Sequence, residues 1–491
     1  MRKWIVVLAA LAVGIGLRVW VYGGVLGAPD SDEAIVGLMA RHALHGELTV
    51  FFWGQVYGGS QEALLSAPFV GVFGMTLFAI RIVPLLLNLA AALLVWRVGR
   101  RLFGEAAGVA CGLVFWVWPP FQIVHGTPAY GFYGTNVFYV ALLLLLALHV
   151  VDEPSALWIA GFGLAFGLAY WQTAQIIPVV LPIVVWMVWR RPTLLRRAWI
   201  AVSLAVVGAL PWIVWNLTHT GGSVLTRSDP SSYARGLRLF ASPLLPMLLG
   251  LRAPLAGTTL LPKALFYLLY VGLLAGFALG AWRARGTRAS LIYLVALSFP
   301  FIWAISHRVT ILTSHPVYLL VLSPIVALLL GQLGTTAVRT AVVVALCAAV
   351  SVVTFERMEG NLTAKNDERW PPPTPRSLAP LQGTLTRLHV RFAYADYWIA
   401  YRLAFDSRER VIASPDQWLR WTTKDGVVTP VPSRGVRYRP YQRRVAAART
   451  HAFVFFVHGY EPEPVRGALL RNAYRRIVVG PFEVFVPPSR S

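Results

Sequence analysis

Eleven apolar runs occupy the chain between its N-terminus and about residue 355, and they restrict what it can fold into. Each run approaches the roughly 20 residues that an α-helix needs to cross the hydrocarbon of a bilayer. The runs lie at 4–22, 78–96, 105–124, 134–151, 155–172, 174–189, 198–216, 262–282, 289–306, 315–332 and 338–355. This pattern predicts an all-α polytopic membrane bundle with about eleven transmembrane helices. The first run lacks a convincing small-residue cleavage site, so we expect it to be retained.

The basic residues between the runs predict the orientation, because Lys and Arg resist translocation. With the N-terminus inside, the inward gaps carry 13 basic residues: Arg2, Lys3, Arg97, Arg100, Arg101, Arg190, Arg191, Arg196, Arg197, Arg283, Arg285, Arg288 and Arg339. The gaps at 125–133 and 173 carry none. We therefore expect a multi-pass protein of the cytoplasmic membrane, with its N-terminus in the cytoplasm and its C-terminal tail outside.

The overall balance of residues agrees with a membrane protein. Hydrophobic residues make up 57% of the 491 positions and charged residues 13%, which does not fit a water-soluble core. The net charge is +23, and 22 of the 44 basic residues follow position 356. Because this tail is expected on the translocated side, anionic membrane lipids fit it better than a nucleic acid does. The two cysteines, Cys111 and Cys347, lie in apolar runs and are predicted to be core residues.

Three regions follow from these patterns. The predicted membrane domain covers 1–355, a proline-rich linker covers 356–375, and a soluble domain outside the membrane covers 376–491. Short β-type runs at 451–457 and 476–479 alternate with candidate helices near 376–388 and 462–474. The tail is therefore predicted to be a small C-terminal α/β domain. An aromatic stretch, Tyr394 to Tyr401, is predicted to form part of its core, with the covering of sugar rings as the alternative.

The first long outward loop, 23–77, contains two further apolar segments. Apolar residues recur at helical spacing between Ile35 and Leu48, so a short helix lying in the membrane interface is expected there. A second segment, Glu62 to Gly74, is too short to span and is expected to lean against the bundle.

Acidic residues are concentrated in this same loop. Nine Asp and Glu residues precede position 356, and five of them lie here: Asp30, Asp32, Glu33, Glu47 and Glu62. Acidic side chains near lipid are costly, so a cluster of them needs a reason. One reason is structural: Asp30 is suited to cap a helix whose third residue is Glu33, in a reciprocal arrangement.

Two chemical alternatives also explain the acids. A carboxylate can accept a proton from a hydroxyl while that oxygen attacks an anomeric carbon, and a departing phosphate needs no second acid. Alternatively, Asp32 and Glu33 together can hold a divalent cation, Mg²⁺ or Mn²⁺, against a phosphate. No cofactor is otherwise expected, and the residues leave these alternatives open.

Several segments in this order resemble a known family. They are the outward Asp32-Glu33-Ala34 after the first helix, the stretch from Phe78 to Pro84, the helix end from Leu93 to Gly104, and the segment from His315 to Pro324. Together they resemble the membrane glycosyltransferases of the GT-C superfamily, in the branch of the protein mannosyltransferases and aminoarabinose transferases. The sequence departs from this branch at Gly54 to Ala63, which leaves the acceptor open.

The resemblance implies an enzyme that transfers a sugar from a polyprenyl-phosphate donor to a glycan, lipid or protein acceptor at the outer face. We expect the transfer to invert the configuration at the sugar carbon. By position, Asp32 would be the catalytic base and Glu33 its neighbour. Asp30 and Glu62 are further candidates for substrate binding. A transporter or flippase of lipid-linked saccharides is the alternative, although transporter carboxylates usually lie within helices near the midplane.

The leaving phosphate needs fixed cations that balance its charge. Arg308 is the first candidate, because its planar guanidinium suits phosphate and it lies between His307 and His315 on a short outward loop. Arg81 is a weaker candidate for the same role. His125 and Tyr130, in the small loop 125–133, are candidates for hydrogen bonds to the sugar.

Overall fold

The computed structural model describes residues 2–223, 233–255, 257–305, 315–363, 375–415, 422–424, 427–429, 436–457 and 463–488. These residues divide into two compact units. The first unit contains residues 1–27, 57–61 and 83–363. The second contains residues 28–56, 62–82 and 364–491, so it combines most of the acidic loop with the C-terminal tail.

The first unit is helical. Its helices are α1 (Arg2–Gly23), α4 (Leu77–Phe103, from Val83 onward), α5 (Glu105–Val117), α6 (Pro120–His125), α7 (Phe132–Asp152), α8 (Ala156–Gln172), α9 (Ile177–Arg190), α10 (Ala198–Gly208), α11 (Leu210–Thr218), α12 (Tyr233–Leu239), α13 (Leu245–Leu248), α14 (Lys263–Arg283), α15 (Ser290–Trp303), α16 (Ser323–Gly331) and α17 (Ala337–Thr363). Cys111 and Cys347 are buried, as predicted. Helix α17 continues through Thr363, beyond the predicted end of the membrane domain.

Every predicted apolar run coincides with helix, but several runs are interrupted. The run 105–124 is divided between α5 and α6 at Pro119 and Pro120, since proline cannot continue the preceding hydrogen-bond ladder. Within the described residues, five helices are long and apolar enough to cross a membrane, or six if the pair that bends by 115° after Arg190 is one span. Eleven crossings therefore remain a prediction.

Small residues bring two helices of this unit close together. A Cβ atom at Gly163 of α8 would lie 2.1 Å from the carbonyl oxygen of Ala201 on α10, and one at Gly167 would lie 2.1 Å from that of Ala205. Because lipid chains are as apolar as the side chains, such close backbone packing is a main source of helix association in membranes. The four-residue spacing of these glycines explains why α8 and α10 pair.

The second unit contains a mixed sheet with helices. Its strands are β1 (Phe392–Ala395), β2 (Ile412–Pro415), β5 (Ala452–Phe456), β6 (Arg475–Val479) and β7 (Phe482–Val486), in the order β2-β1-β5-β7-β6. Strand β1 is parallel to β2 and β5, whereas β7 is antiparallel to β5 and β6. A separate hairpin joins β3 (Thr422–Lys424) and β4 (Val427–Thr429). The helices are α2 (Ser31–Leu44), α3 (Gln61–Phe73, from Glu62), α18 (Ala379–Arg387), α19 (Tyr397–Asp406), α20 (Arg439–Ala447) and α21 (Glu463–Arg471).

The secondary structure predicted for the tail is confirmed where the residues are described. Strands β5 and β6 and helices α18 and α21 fall on the four predicted segments. The sheet core is apolar, with Leu381, Leu403 and Val454 fully buried. The tail is thus an α/β domain, and it forms one unit with the acidic loop.

Candidate functional site

Helix α2 positions the acidic cluster. The backbone amide of Glu33 donates a hydrogen bond of 3.0 Å to Oδ1 of Asp30, which confirms Asp30 as the N-cap. The predicted reciprocal bond is not formed, because the Glu33 carboxylate binds elsewhere. Burial, followed by the nearby charge of Asp32, raises the pKa of Asp30, in spite of the backbone amides that favour its ionised form. This limits the negative charge that accumulates on the first turn of the helix.

Glu33 forms a buried ion pair with Arg81 of the first turns of α4. Nε of Arg81 donates to Oε1 of Glu33 at 2.7 Å, and Nη2 donates to Oε2 at 2.6 Å. Glu33 is 0% exposed and Arg81 1% exposed. The planar guanidinium matches both carboxylate oxygens, so this pair fixes the start of α2 against α4. Two predicted site residues are therefore brought together as partners of each other.

Asp32 is only half-buried and has a different partner. The hydroxyl of Tyr397, the first residue of α19, donates a hydrogen bond to Oδ1 of Asp32. Nε of Arg437 in turn donates to the Tyr397 hydroxyl oxygen at 3.1 Å. Burial and the charge of Asp32 raise the pKa of Tyr397 well above its ordinary value, so the phenol stays neutral and acts as a donor. No described residue forms a hydrogen bond with Oδ2 of Asp32.

Helix α19 packs directly against α2. A Cβ atom at Gly37 would lie 2.2 Å from the ring of Phe405, so only glycine permits this approach. Arg402 donates a hydrogen bond of 3.0 Å to the carbonyl oxygen of Pro29, and it forms an ion pair of 3.3 Å with Asp406. All residues of α2 from Glu33 to Ala40 are buried. The apolar residues of this helix therefore pack within the protein, and its position in the membrane interface remains a prediction.

The C-terminal end of α2 carries a second group of polar contacts. His42 lies between two carboxylates, with Nδ1 2.6 Å from Oε2 of Glu47 and Nε2 3.0 Å from Oε1 of Glu409. The hydroxyl groups of Tyr438 and Tyr441 donate to Glu47 and Glu409 at 2.5 and 2.6 Å, respectively. These contacts attach the end of α2 to α20 and to the turn after α19.

Glu62 lies in the second unit near the start of α3 and is 1% exposed. Its carboxylate is therefore enclosed by the protein and is not solvated. Its predicted place in the site remains a prediction.

The first unit brings together three other predicted residues. The imidazole centroid of His125 is 5.2 Å from the ring of Tyr130 and 6.4 Å from the imidazole of His315. Phe121 lies beneath His125, with ring centroids 4.2 Å apart. All three predicted residues are half-buried, and together they form an aromatic cluster with hydrogen-bonding nitrogen and oxygen atoms. Their roles toward a sugar or a phosphate remain predictions.

Arg308 and His307, the first candidates for phosphate binding, lie outside the described residues. Within the described ranges, no three His, Cys, Asp or Glu side chains are arranged to hold a metal ion. A divalent cation between Asp32 and Glu33 finds no support in this geometry, because both oxygens of Glu33 are bonded to Arg81.

Sequence reasoning did not find the tail residues that contact the acidic loop. Tyr397 and Arg402 lie 365 and 373 residues after their partners, and no local pattern joins such distant positions. Arg437 contacts Tyr397, 40 residues before it. One signal was present, since Tyr397 belongs to the aromatic stretch from Tyr394 to Tyr401. That stretch is largely core, as predicted, with Tyr394 5% and Tyr401 0% exposed. Tyr397, the first helical residue of this stretch, also donates a hydrogen bond to Asp32.

Comparison with known proteins supports the predicted family. Residues 63–215 match the family described as dolichyl-phosphate-mannose-protein mannosyltransferase. Over 153 residues the chain is 29% identical to the undecaprenyl phosphate-alpha-4-amino-4-deoxy-L-arabinose arabinosyl transferase 2 of Pseudomonas fluorescens. The aligned region covers 29% of this chain and 27% of that protein. The chain therefore aligns with about a quarter of this curated relative. The family match begins after Asp32 and ends before the C-terminal tail.

The structural likeness extends over nearly the whole chain. ArnT from Cupriavidus metallidurans bound to undecaprenyl phosphate superposes with a TM-score of 0.63 and 14% identity, covering 99% of this chain and 98% of that one. The predicted resemblance to the GT-C glycosyltransferases is confirmed. The apo form of the same enzyme superposes with a TM-score of 0.64 and 14% identity, over 96% and 97% of the two chains. The similarity in fold therefore covers both the helical unit and the tail.

Proposed function

We propose that this protein transfers a sugar from a polyprenyl-phosphate donor to an acceptor at the outer face of the cytoplasmic membrane. The observation that carries the proposal is the setting of Asp32 within a GT-C fold. Its carboxylate is half-exposed, one oxygen is held by Tyr397, and no described residue bonds to the other. This is the arrangement that a general base needs, because the group must be fixed and still reach a proton.

The proposed chemistry is a single displacement. An acceptor hydroxyl gives its proton to Oδ2 of Asp32 while its oxygen forms a bond to the anomeric carbon of the sugar. The bond from that carbon to the phosphate oxygen breaks, and the electron pair leaves with the polyprenyl phosphate. Because attack and departure occur on opposite faces, the configuration at the anomeric carbon is inverted. One carboxylate is sufficient, since the phosphate leaves without protonation.

Other residues are proposed to bind the two ends of the donor. Arg308, His307 and His315 are proposed to balance the charge of the phosphate, and His125 and Tyr130 to bond the sugar hydroxyls. The grouping of His125, Tyr130 and His315 in the helical unit supports a shared role. For Glu33 and Arg81 we propose that the ion pair holds the helix that carries Asp32, with Asp30 as its cap. Glu62 is proposed as a further acidic group near the acceptor.

We further propose eleven crossings, with the N-terminus inside and the tail outside, from the distribution of basic residues. The comparisons name transferases, and no observation favours the flippase alternative.

The proposal is tested with purified protein in lipid nanodiscs and a panel of polyprenyl-phosphate sugars. Release of the carrier phosphate in the presence of membrane-extracted acceptor is measured for the wild type and for Asp32→Asn. We expect at least one donor to be consumed and Asp32→Asn to lose about 100-fold or more in kcat, the size of effect typical for a general base. Glu105→Gln, which neutralises an exposed carboxylate of α5, is the control. Wild-type turnover by Asp32→Asn would remove Asp32 as the base.

A further inference from the structure

The C-terminal domain reaches the acidic cluster through one tyrosine. Tyr397 begins α19 directly after Asp396, whose carboxylate accepts a hydrogen bond of 2.8 Å from the backbone amide of Trp398 and so caps the helix. Its side chain is 6% exposed, and its hydroxyl donates to Oδ1 of Asp32. The hydroxyl of Ser31 also donates to the backbone carbonyl of Tyr397. The first residues of α19 and α2 are therefore joined by both main-chain and side-chain bonds.

Arg437 supports this tyrosine from its other side. Its Nε atom donates to the Tyr397 hydroxyl oxygen at 3.1 Å, and its guanidinium carbon is 5.5 Å from the centre of the ring. A cationic donor to a phenol oxygen withdraws electron density and makes the phenol a stronger donor to the next acceptor.

The segment that carries Arg437 is itself fixed. The backbone amides of Arg437 and Tyr438 donate to the hydroxyl oxygen of Tyr401 at 2.6 and 3.0 Å. Gly54 of the acidic loop lies directly against this segment, since a Cβ there would be 2.6 Å from the Cα atom of Arg437. Gly54 also has a φ of +67°, a conformation that other residues adopt rarely. Both the tail and the loop thus hold Arg437 in place.

We propose that Tyr397 and Arg437 are positioning residues for Asp32, so that the C-terminal domain completes the catalytic site. Tyr397 occupies one carboxylate oxygen and leaves the other facing the acceptor hydroxyl, and Arg437 fixes the direction of the Tyr397 hydroxyl. This inference rests on the proposed function, because it needs Asp32 to act as the base. It assigns the tail a role in the reaction itself, in addition to any part in recognising the acceptor.

The test compares Tyr397→Phe and Arg437→Gln with Tyr394→Phe, which removes the hydroxyl of another buried tyrosine in the same domain. The full-length variants are assayed for kcat, for the KM of the donor, and for kcat/KM against pH. We expect Tyr397→Phe to lower kcat by about 10- to 100-fold with donor KM nearly unchanged, since a small misplacement of a catalytic group has effects of this order. The acidic limb of its pH profile should move to higher pH, because the lost hydrogen bond favoured the ionised carboxylate.

Arg437→Gln should move the same limb in the same direction by a smaller amount, and Tyr394→Phe should behave like the wild type. Combining Tyr397→Phe with Asp32→Asn should add no loss beyond Asp32→Asn alone, since residues that act as a unit are not additive. Unchanged kcat and pH profile in Tyr397→Phe would overturn the inference. So would a loss of activity accompanied only by a lower melting temperature, with the pH limb unmoved. If Asp32→Asn keeps its activity, the proposed function fails instead.

Discussion

Removing either partner of the buried Glu33–Arg81 ion pair should destabilise the protein strongly. Both side chains are almost completely buried, and two hydrogen bonds of 2.6 and 2.7 Å join them. Arg81→Met leaves a buried carboxylate without its cation, and Glu33→Leu leaves a buried guanidinium without its anion. Breaking a buried pair from one side costs about 3–5 kcal/mol in the free energy of unfolding. This is a large part of the roughly 5–15 kcal/mol that a typical domain possesses.

The double variant Glu33→Leu/Arg81→Met should recover most of this loss. Both charges are then absent, and no desolvated group is left unpaired, so replacement of a buried pair by apolar residues is often close to neutral. The coupling energy between the two sites should therefore be at least about 2 kcal/mol, of the size that direct partners show in double-mutant cycles. The double variant should also regain folding without regaining full activity, if the pair orients Asp32.

The assay is reversible unfolding of the protein in mixed micelles of increasing denaturing detergent, followed by circular dichroism. Arg100 and Glu105 provide the matched control, because their charged atoms are 3.7 Å apart and both side chains are substantially exposed. Exposed pairs contribute about 0–1 kcal/mol, so Glu105→Gln should hardly change the unfolding free energy. Single variants at Glu33 and Arg81 that unfold within 1 kcal/mol of the wild type would show that the pair is not buried as described.

Two further predictions concern the ends of α2. At the C-terminal end, burial lowers the pKa of His42, but the hydrogen bonds and charges of Glu409 and Glu47 outweigh this effect, and the pKa is raised overall. For Glu409, burial raises the pKa, but His42, Tyr441 and Arg41 lower it to about 2. The contribution of His42 to the free energy of unfolding is complete below its ordinary pKa of 6.5 and is lost as pH rises through the raised pKa. The contribution of Glu409 is present above its ordinary pKa of 4.5 and is lost as pH falls toward 2. Melting temperature against pH should decline on both sides, and His42→Gln should remove the alkaline decline; an unchanged alkaline decline would contradict this. Gly37→Leu should destabilise the protein by about 1–3 kcal/mol or more, because the new side chain clashes with Phe405. Gly383→Ala is the control and should not destabilise the protein, since a Cβ there meets nothing within 4 Å. Equal melting temperatures for the two variants would refute the packing of α2 on α19.

The helices were predictable because hydropathy and length determine them locally. All eleven apolar runs are helical, and the tail elements appear where the alternation of residues placed them. The sequence marks the interruptions by prolines that lie inside the apolar runs: Pro119, Pro120, Pro211 and Pro324. A hydropathy average does not detect them, because proline breaks the backbone ladder without changing the polarity of the run. Hydropathy alone therefore predicted the apolar runs but not the points at which they are interrupted.

The site was predictable only in part, for a different physical reason. Asp30, Asp32 and Glu33 were identified from their density and from the capping pattern, which are local features. Their partners are not local: Tyr397 is 365 residues from Asp32, and Arg81 is 48 residues from Glu33. Arg81 was singled out as a free cation for phosphate, and a sequence cannot tell such a cation from one that is already paired.

The acidic loop can concentrate carboxylates because each is balanced in its own way. Asp30 accepts a backbone amide and binds protons more readily than usual, Glu33 is neutralised by Arg81, and Glu47 is bonded to His42 and Tyr438. Asp32 accepts a hydrogen bond from the neutral phenol of Tyr397 and remains half-exposed. A charge that is held but not neutralised keeps its capacity to accept a proton. We propose that the surrounding pairs confine reactivity to this one carboxylate.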